Sequence, residues 1–325
     1  MALKEKYYEA AHAALEARRT ANRAEENFRR MTVAKKIPEY AQLEARLAAN
    51  SAKLVPIILA QGADTHERLE ALKDENLMIQ HSMTQLLKAA GFAEDYLSPV
   101  YTCKECRDEG CRGGKWCGCF MKLVYAAASK ELNDQSPMKL KHFEDFDLSL
   151  YPDAVDEVLR QNIRATMKQN FAECVEYAEK FNGSGRGLLM TGATGLGKTH
   201  LSLAIANRVI DRGFSVIYGS APELLRMLDN EQFGRASGDT MSLLTGCDLL
   251  ILDDLGAENS TERTASQLYE IINSRMNRGI PMIVSTNLSP QQLRARYQDR
   301  ICSRLLSLDT LMFCGTDNRL KTLGR

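Results

Sequence analysis

The residues that could carry chemistry begin with the run Gly192, Ala193, Thr194, Gly195, Leu196, Gly197, Lys198 and Thr199. A phosphate chain concentrates negative charge and has to be held by many donors at once. Glycines at 192, 195 and 197 permit positive φ and close approach, so successive backbone N–H groups can turn inward. Lys198 is spaced to reach the β- and γ-phosphates of a nucleotide, and the Thr199 hydroxyl to ligate Mg²⁺. A helix starting near Lys198 adds its positive end. The flanks fit: an apolar run, Leu188 to Met190, precedes the loop, and an apolar-periodic stretch, Leu201 to Ile210, comes after it. Strand, glycine turn, helix is the setting of a P-loop, which weighs against a glycine-rich turn that binds nothing.

A second feature, this one acidic, complements the first. In LLILDDLG, four apolar residues lead to Asp253 and Asp254. At the carboxyl end of a buried strand Asp253 would hold Mg²⁺ through water, and Asp254 could polarise an attacking water. Glu258 lies close by, although a loop glutamate is more often merely solvated. The next apolar run ends in Ser285-Thr286-Asn287. An amide donates and accepts, so Asn287 could orient a water; it could equally cap the helix after it, where Ser289 and Pro290 compete for the cap and first positions. Arg300 and Arg304 are four apart and share a helical face. Either could reach a neighbouring subunit's γ-phosphate, or lie on the surface paired with Asp299 or Asp309. Arg319 could touch phosphate from within its own subunit.

Five of the nine cysteines fall between Cys103 and Cys119. Cys103 and Cys106 form a C-x2-C knuckle and Cys117 and Cys119 a C-x-C pair, with a glycine-rich loop between. Two thiolate pairs of this kind can close on Zn²⁺. Four thiolates leave no open position, so the zinc would be structural and would staple a module with little core of its own. Cys111 is the spare, or replaces one of the four. An iron–sulfur cluster and free thiols are the competing readings.

The rest of the chain must supply the elements that position these groups. Its 325 residues are 44% hydrophobic and 26% charged, with zero formal net charge. That is ordinary for a soluble globular protein of about two domains, and any nucleic-acid site has to be a local patch or a groove made by several subunits. The start, MALKEKYYEA, lacks the apolar core of a signal peptide, and no run is long enough to span a bilayer. A cytoplasmic location without membrane contact is the expectation. Residues 1–92 read as long helices rich in Ala, Leu, Glu, Arg and Lys. Pro38 should open a second helix, and Asp64 with Glu67 has capping-box spacing for a third, which Gly91 would end. Leu72, Asn76, Ile79, Met83, Leu86 and Ala90 make a coiled-coil-like seam, buried either within a hairpin or against a partner. Residues 93–130 form the cysteine module and 131–152 a linker, in which Phe143 and Phe146 suggest docking on the next domain. Val155 to Phe181 should be helical. From residue 153 to 325 the expectation is an α/β domain. Strand candidates at Gly187–Thr191, Ser215–Gly219, Asp248–Asp253, Pro281–Ser285 and Leu311–Cys314 alternate with helices, the sign of a parallel sheet.

Taken together, the P-loop, LLILDDLG, STN, DRICSRL and a late arginine resemble the AAA+ ATPases of the bacterial helicase-loader group, the DnaC/DnaI type, with the transposition helper IstB a near relative. The C-x2-C…C-x-C module and HFEDFDLSLY look like those of the DnaI branch, so the resemblance covers roughly Tyr101 to Arg319. It implies a P-loop AAA+ sheet flanked by helices, preceded by a helical region and a small zinc-binding module. It implies ATP at Gly192–Thr199, Mg²⁺ at Thr199 and Asp253, and Asp253 with Asp254 as Walker B acids. Asn287 corresponds to sensor 1, Arg304 to the arginine finger and Arg319 to sensor 2. The implied function is slow, Mg²⁺-dependent ATP hydrolysis by a loader that places a hexameric replicative helicase on single-stranded DNA during replication and self-associates through its ATP sites. DNA-contacting residues cannot be placed from the motifs. The alternatives are an IstB-like transposition helper and a nucleotide-independent adaptor.

Overall fold

A computed structural model of the chain describes residues 3–60, 64–157, 160–235 and 238–318. They divide into two compact units: one runs from Ala14 to Cys117, and the other joins the residues up to Ala13 with those from Gly118 onward.

The first unit holds most of helix α1 (Glu5–Lys36), helices α2 (Pro38–Ala60) and α3 (Thr65–Ala89), and a short antiparallel hairpin of β1 (Cys111–Arg112) and β2 (Lys115–Trp116). Pro38 opens α2, where a missing N–H is harmless. Ile79, Met83 and Leu87 of α3 form a core with Val33, Ile37 and Tyr40. The seam therefore ends on Leu87, while Leu86 and Ala90 are only partly buried beside it. Its polar member has a partner: Asn50, 1% exposed, donates to Asn76 Oδ1 at 3.1 Å. Such a pair fixes register within an apolar seam. The stripe is thus buried against its own chain, yet Val55, Ile58 and Leu59 of α2 and Met78 of α3 remain exposed. The capping box does not form. Asp64 is the N-cap, but at φ −93° and ψ 3° it is not extended, and its side chain makes no cap bond. Gly91, at φ +82°, comes after the C-cap Ala90 as expected.

The second unit continues with α4 (Gly118–Asp134), two single 3₁₀ turns at Phe143–Asp145 and Leu148–Leu150, and α5 (Ile163–Lys180). Then strands and helices alternate: β3 (Leu188–Thr191), α6 (Lys198–Asp211), β4 (Val216–Ser220), α7 (Ala221–Gln232), α8 (Thr240–Gly246), β5 (Leu249–Leu255), α9 (Glu262–Asn277), β6 (Met282–Thr286), α10 (Pro290–Arg296), α11 (Asp299–Leu305) and β7 (Asp309–Met312). The five strands β4-β5-β6-β3-β7 form one parallel sheet in that order. Leu249 to Leu252 and Ile283 to Val284 are fully buried, as strands covered on both faces should be. This is the mixed α/β architecture, a parallel sheet flanked by helices, that the AAA+ motifs imply.

Two segments differ from the sequence reading. Residues 131–134, expected to begin a linker, finish α4 instead. Asn133 explains why: it donates to Val216 O at 2.7 Å and accepts from Tyr218 N at 3.2 Å, occupying the free edge of β4. The helix expected from Val155 starts only at Ile163, because Asn162 caps it by accepting from Ala165 N at 2.9 Å. Val155 instead pairs with Asn162 in an isolated bridge. The 3₁₀ turns do dock: Phe143, Phe146, Leu148 and Leu150 pack on the sheet unit's core. Among the described residues no helix is long and apolar enough to cross a membrane.

Candidate functional site

The parallel register sets where the polar residues gather. Thr191 pairs with Thr286 and Ser220 with Asp253, so the carboxyl ends of β3, β4, β5 and β6 lie side by side. Beyond them the chain turns from β3 into α6 through the glycine run. Gly197, at φ +89°, is the N-cap of α6. A Cβ there would lie 2.7 Å from Phe146 Cε2 and 2.9 Å from the Tyr151 hydroxyl oxygen, so both backbone conformation and space require glycine.

Lys198 is 5% exposed. Its ammonium donates to Gly192 O at 2.6 Å, Ala193 O at 2.7 Å and Asn287 Oδ1 at 2.6 Å. Asn287 therefore faces the loop. The cap of α10 is Ser289, in a complete capping box with Gln292, so the helix-cap role considered for Asn287 is filled by another residue. The Thr199 hydroxyl donates to Asp253 Oδ2 at 2.8 Å, and the Ser285 hydroxyl donates to Asp253 Oδ1. Asp253 is 3% exposed, and burial pushes its pKa above the ordinary carboxylate value despite these two bonds. A cation beside Thr199 and Asp253 would oppose that shift.

Asp254 owes its position to a bulge. Leu252 pairs with Val284 and Leu255 with Thr286, so β5 carries one residue more than β6 across that interval. Asp254 takes up the difference at φ +52° and donates its N–H to Ser285 Oγ at 3.0 Å. Bulges re-aim side chains next to sites. Here Asp253 turns inward under Thr199 while Asp254 is exposed and lines the cleft. That cleft, about 640 Å³, runs along Thr194–Thr199 and is walled by Phe146, Leu150 and Tyr151. Tyr151 donates to Leu196 O at 2.9 Å, and Phe146 stacks on it at 5.8 Å. Ser285, which touches both acids, and Tyr151 were not singled out from sequence, and Phe146 was read only as a residue that docks the linker, not as a wall of the cleft. A hydroxyl inside an apolar strand was the available signal for the first.

Other expected residues lie elsewhere. Arg304 does not line this cleft. Its guanidinium donates to Asn273 Oδ1 at 2.7 and 3.1 Å and lies over the Tyr269 ring at 5.0 Å; Arg300 lies over the same ring at 4.3 Å. Neither pairing with Asp299 nor with Asp309 accounts for Arg304. Arg319 lies outside the described residues. Glu258, read as a solvated loop acid, is 5% exposed and hydrogen-bonded.

The sulfurs of Cys103, Cys106, Cys117 and Cys119 all lie within 4.8 Å of one another. Cys103 and Cys117 are 3.9 Å apart; the edge of a tetrahedron with Zn–S bonds of ~2.3 Å is about 3.8 Å. Gly110 donates its N–H to Cys106 Sγ at 3.4 Å. Cys111 is exposed on β1 and outside this group. Asp108, 2% exposed, accepts from Thr102 N at 2.7 Å, Cys103 N at 2.9 Å and Asn22 at 2.9 Å, so it fixes the first knuckle against α1. Nothing in its sequence surroundings marks it out. The four sulfurs suit a soft divalent ion.

Compared with known proteins, residues 139–314 match a family described as IstB-like ATP binding protein. The chain is similar to the replicative helicase loader DnaI of Bacillus subtilis (strain 168), 28% identical over 130 residues that cover 39% of this chain and 42% of that protein. It is equally similar to an ATP-binding protein in an insertion sequence of Mycobacterium tuberculosis, 28% identical over 170 residues that cover 52% of this chain and 62% of the relative. A crystal structure of DnaI superposes with a TM-score of 0.44 at 25% identity, covering 55% of this chain and 90% of that one. The chain spans roughly half the length of the curated relatives it matches.

Proposed function

This chain belongs to the family of IstB-like ATP binding proteins, and on that premise we propose that it hydrolyses ATP as a loader of a replicative DNA helicase onto single-stranded DNA. The observation that carries the ATPase reading is the convergence of Lys198, Asn287, Thr199 and Asp253 through bonds of 2.6 and 2.8 Å. Lys198 binds the terminal phosphates. Thr199 and Asp253 hold Mg²⁺, which when bound neutralises charge on those phosphates. Asp254 and Asn287 orient and polarise the attacking water. Phe146, Leu150 and Tyr151 exclude water from one side of the cleft. Arg304, outside its own cleft, acts on the γ-phosphate of a neighbouring copy, so turnover requires self-association and is slow in isolated subunits.

The loader reading rests on what lies upstream of the family match. Residues 14–117 form a separate unit with three of the four clustered cysteines and exposed Val55, Ile58, Leu59 and Met78. We assign the cysteines to structural Zn²⁺ and the apolar side chains to a grip on the helicase. The corresponding domain plan is a helical region at 1–92, a zinc module from 93 whose last helix runs on to Asp134, a connecting segment at 135–152 and an AAA+ domain at 153–325, in a cytoplasmic protein. The second reading, a transposition helper, is favoured by the longer alignment to the insertion-sequence relative at the same identity. Pull-down of a purified hexameric replicative helicase beside the matching transposase, with and without ATP, separates the two. Retention of the helicase supports the loader; retention of the transposase alone overturns it. Partner function that survives Lys198→Ala points to the adaptor.

A further inference from the structure

Four residues beyond Asp254, a buried carboxylate joins two parts of the sheet unit. Glu258 Oε2 accepts the Gly256 N–H at 2.8 Å. Its Oε1 accepts the Tyr297 hydroxyl and lies 3.5 Å from Arg296 Nε. Arg296 also donates to the Glu258 carbonyl. Burial strengthens each of these bonds and makes an unmatched carboxylate expensive, so the arrangement is held tightly.

What it holds matters on both sides. Between Asp254 and Glu258 the backbone is tightly folded: Asp254 is at φ +52°, Gly256 at φ +106°, and Ala257 N donates to Asp254 O at 3.1 Å. A non-glycine residue in the left-handed region persists only where its surroundings impose it. Three side chains pin this turn: Ser285 accepts from Asp254 N, the Thr286 hydroxyl donates to Leu255 O at 2.6 Å, and Glu258 holds Gly256 and alone of the three ties the turn to α10. On the far side, Arg296 ends α10 and Tyr297 is its C-cap, two residues before α11 begins. Helix α11 carries Arg300 and Arg304.

We propose that Glu258 is a positioning residue that sets the Asp254 carboxylate and the root of the arginine-bearing helix together, so that the hydrolytic turn and the arginine offered to a neighbouring subunit shift as one. This rests on the ATPase reading above. Glu258 needs no contact with substrate for this role, and it does not line the cleft. A residue that only stabilised the fold would lower the melting temperature and leave turnover per folded subunit unchanged.

The test uses the full-length protein with Glu258→Gln and Tyr297→Phe, each also combined with Arg304→Ala. Affinity for a non-hydrolysable ATP analogue, kcat, KM and melting temperature are measured well below the melting point, with turnover normalised to analogue-binding sites. The expected result is analogue affinity within about twofold of the parent and kcat lowered about tenfold in Glu258→Gln, with a smaller loss in Tyr297→Phe. Because the carboxylate acts partly through α11, Glu258→Gln should slow the Arg304→Ala protein by no more than about threefold. Unchanged kcat, or a full tenfold further loss on the Arg304→Ala background, overturns the inference. If Glu258→Gln does not fold, Tyr297→Phe, which keeps the carboxylate, decides by the same criteria. A parent protein with no turnover instead condemns the ATPase reading itself.

Discussion

Lys198 and Asn287 are joined by a 2.6 Å hydrogen bond from ammonium to amide oxygen. The first residue of α6 and the residue just past β6 are thereby brought to one point in the cleft. The two should fail differently when removed. Lys198→Ala deletes the charge proposed to bind the phosphates and should weaken ATP binding at least about tenfold, measured by fluorescent-nucleotide titration. Asn287→Ala should leave binding within a few-fold and lower kcat about 10–100-fold, since it removes an interaction needed at the transition state. Equal loss of affinity in both would place Asn287 in binding alone.

Asp253 gives a pH dependence with a definite sign. Unfolded, it titrates near its ordinary value of 3.8; folded, burial raises its pKa above that. Between the two values the folded state holds the extra proton, so stability falls as pH rises through that window and the deficit is complete above the folded value. Asp253→Asn removes the deficit. At neutral pH it should raise the melting temperature of the nucleotide-free protein and abolish Mg²⁺-dependent turnover, a trade between stability and function. A lower melting temperature would mean that the two hydroxyl bonds outweigh the cost of burying charge.

Arg304→Ala should leave nucleotide affinity unchanged and reduce turnover about 100-fold or more, as expected for an arginine acting from a neighbouring subunit. Mixing it with Lys198→Ala subunits should restore part of the activity, because each supplies what the other lacks. Loss of binding in a folded Arg304→Ala protein would put that side chain in its own subunit's pocket.

Removing metal with a strong chelator should unfold the cysteine corner, seen as lost helicity and faster proteolysis within residues 14–117, with one Zn²⁺ released per chain. Asp108→Asn should weaken zinc binding about 10–100-fold without touching a sulfur, because Asp108 holds the Cys103 backbone.

Arg275, with no exposed surface, donates to Leu244 O at 2.7 Å and to Pro281 O at 2.6 Å. Arg275→Met fills similar volume but leaves those carbonyls unsatisfied, and should cost about 2–4 kcal/mol in chemical denaturation.

The sheet was readable because strands buried on both faces are near-continuous apolar runs, Leu249–Leu252 above all. Its motifs were readable because loop glycines, paired aspartates and a strand-end asparagine each have a spacing that chemistry demands. Other features left no periodic trace. The bulge at Asp254 depends on pairing with β6, which no local pattern reports. The burial of Glu258 and Asp108 depends on partners at positions 297 and 22, far away in sequence. Asn133 looked like a linker residue because asparagine favours turns; it is helical because an open strand edge offers it two bonds.

That last contact bears on how the open border of the sheet is covered. β4 is the border of the sheet, and a border strand offers an invitation to any other extended chain. The carboxamide of Asn133 answers both a carbonyl and an amide there, standing in for a missing sixth strand. Asn133→Leu would peel that cover away while keeping the helix, and the molecules so altered should clump through strand-to-strand growth rather than simply melt.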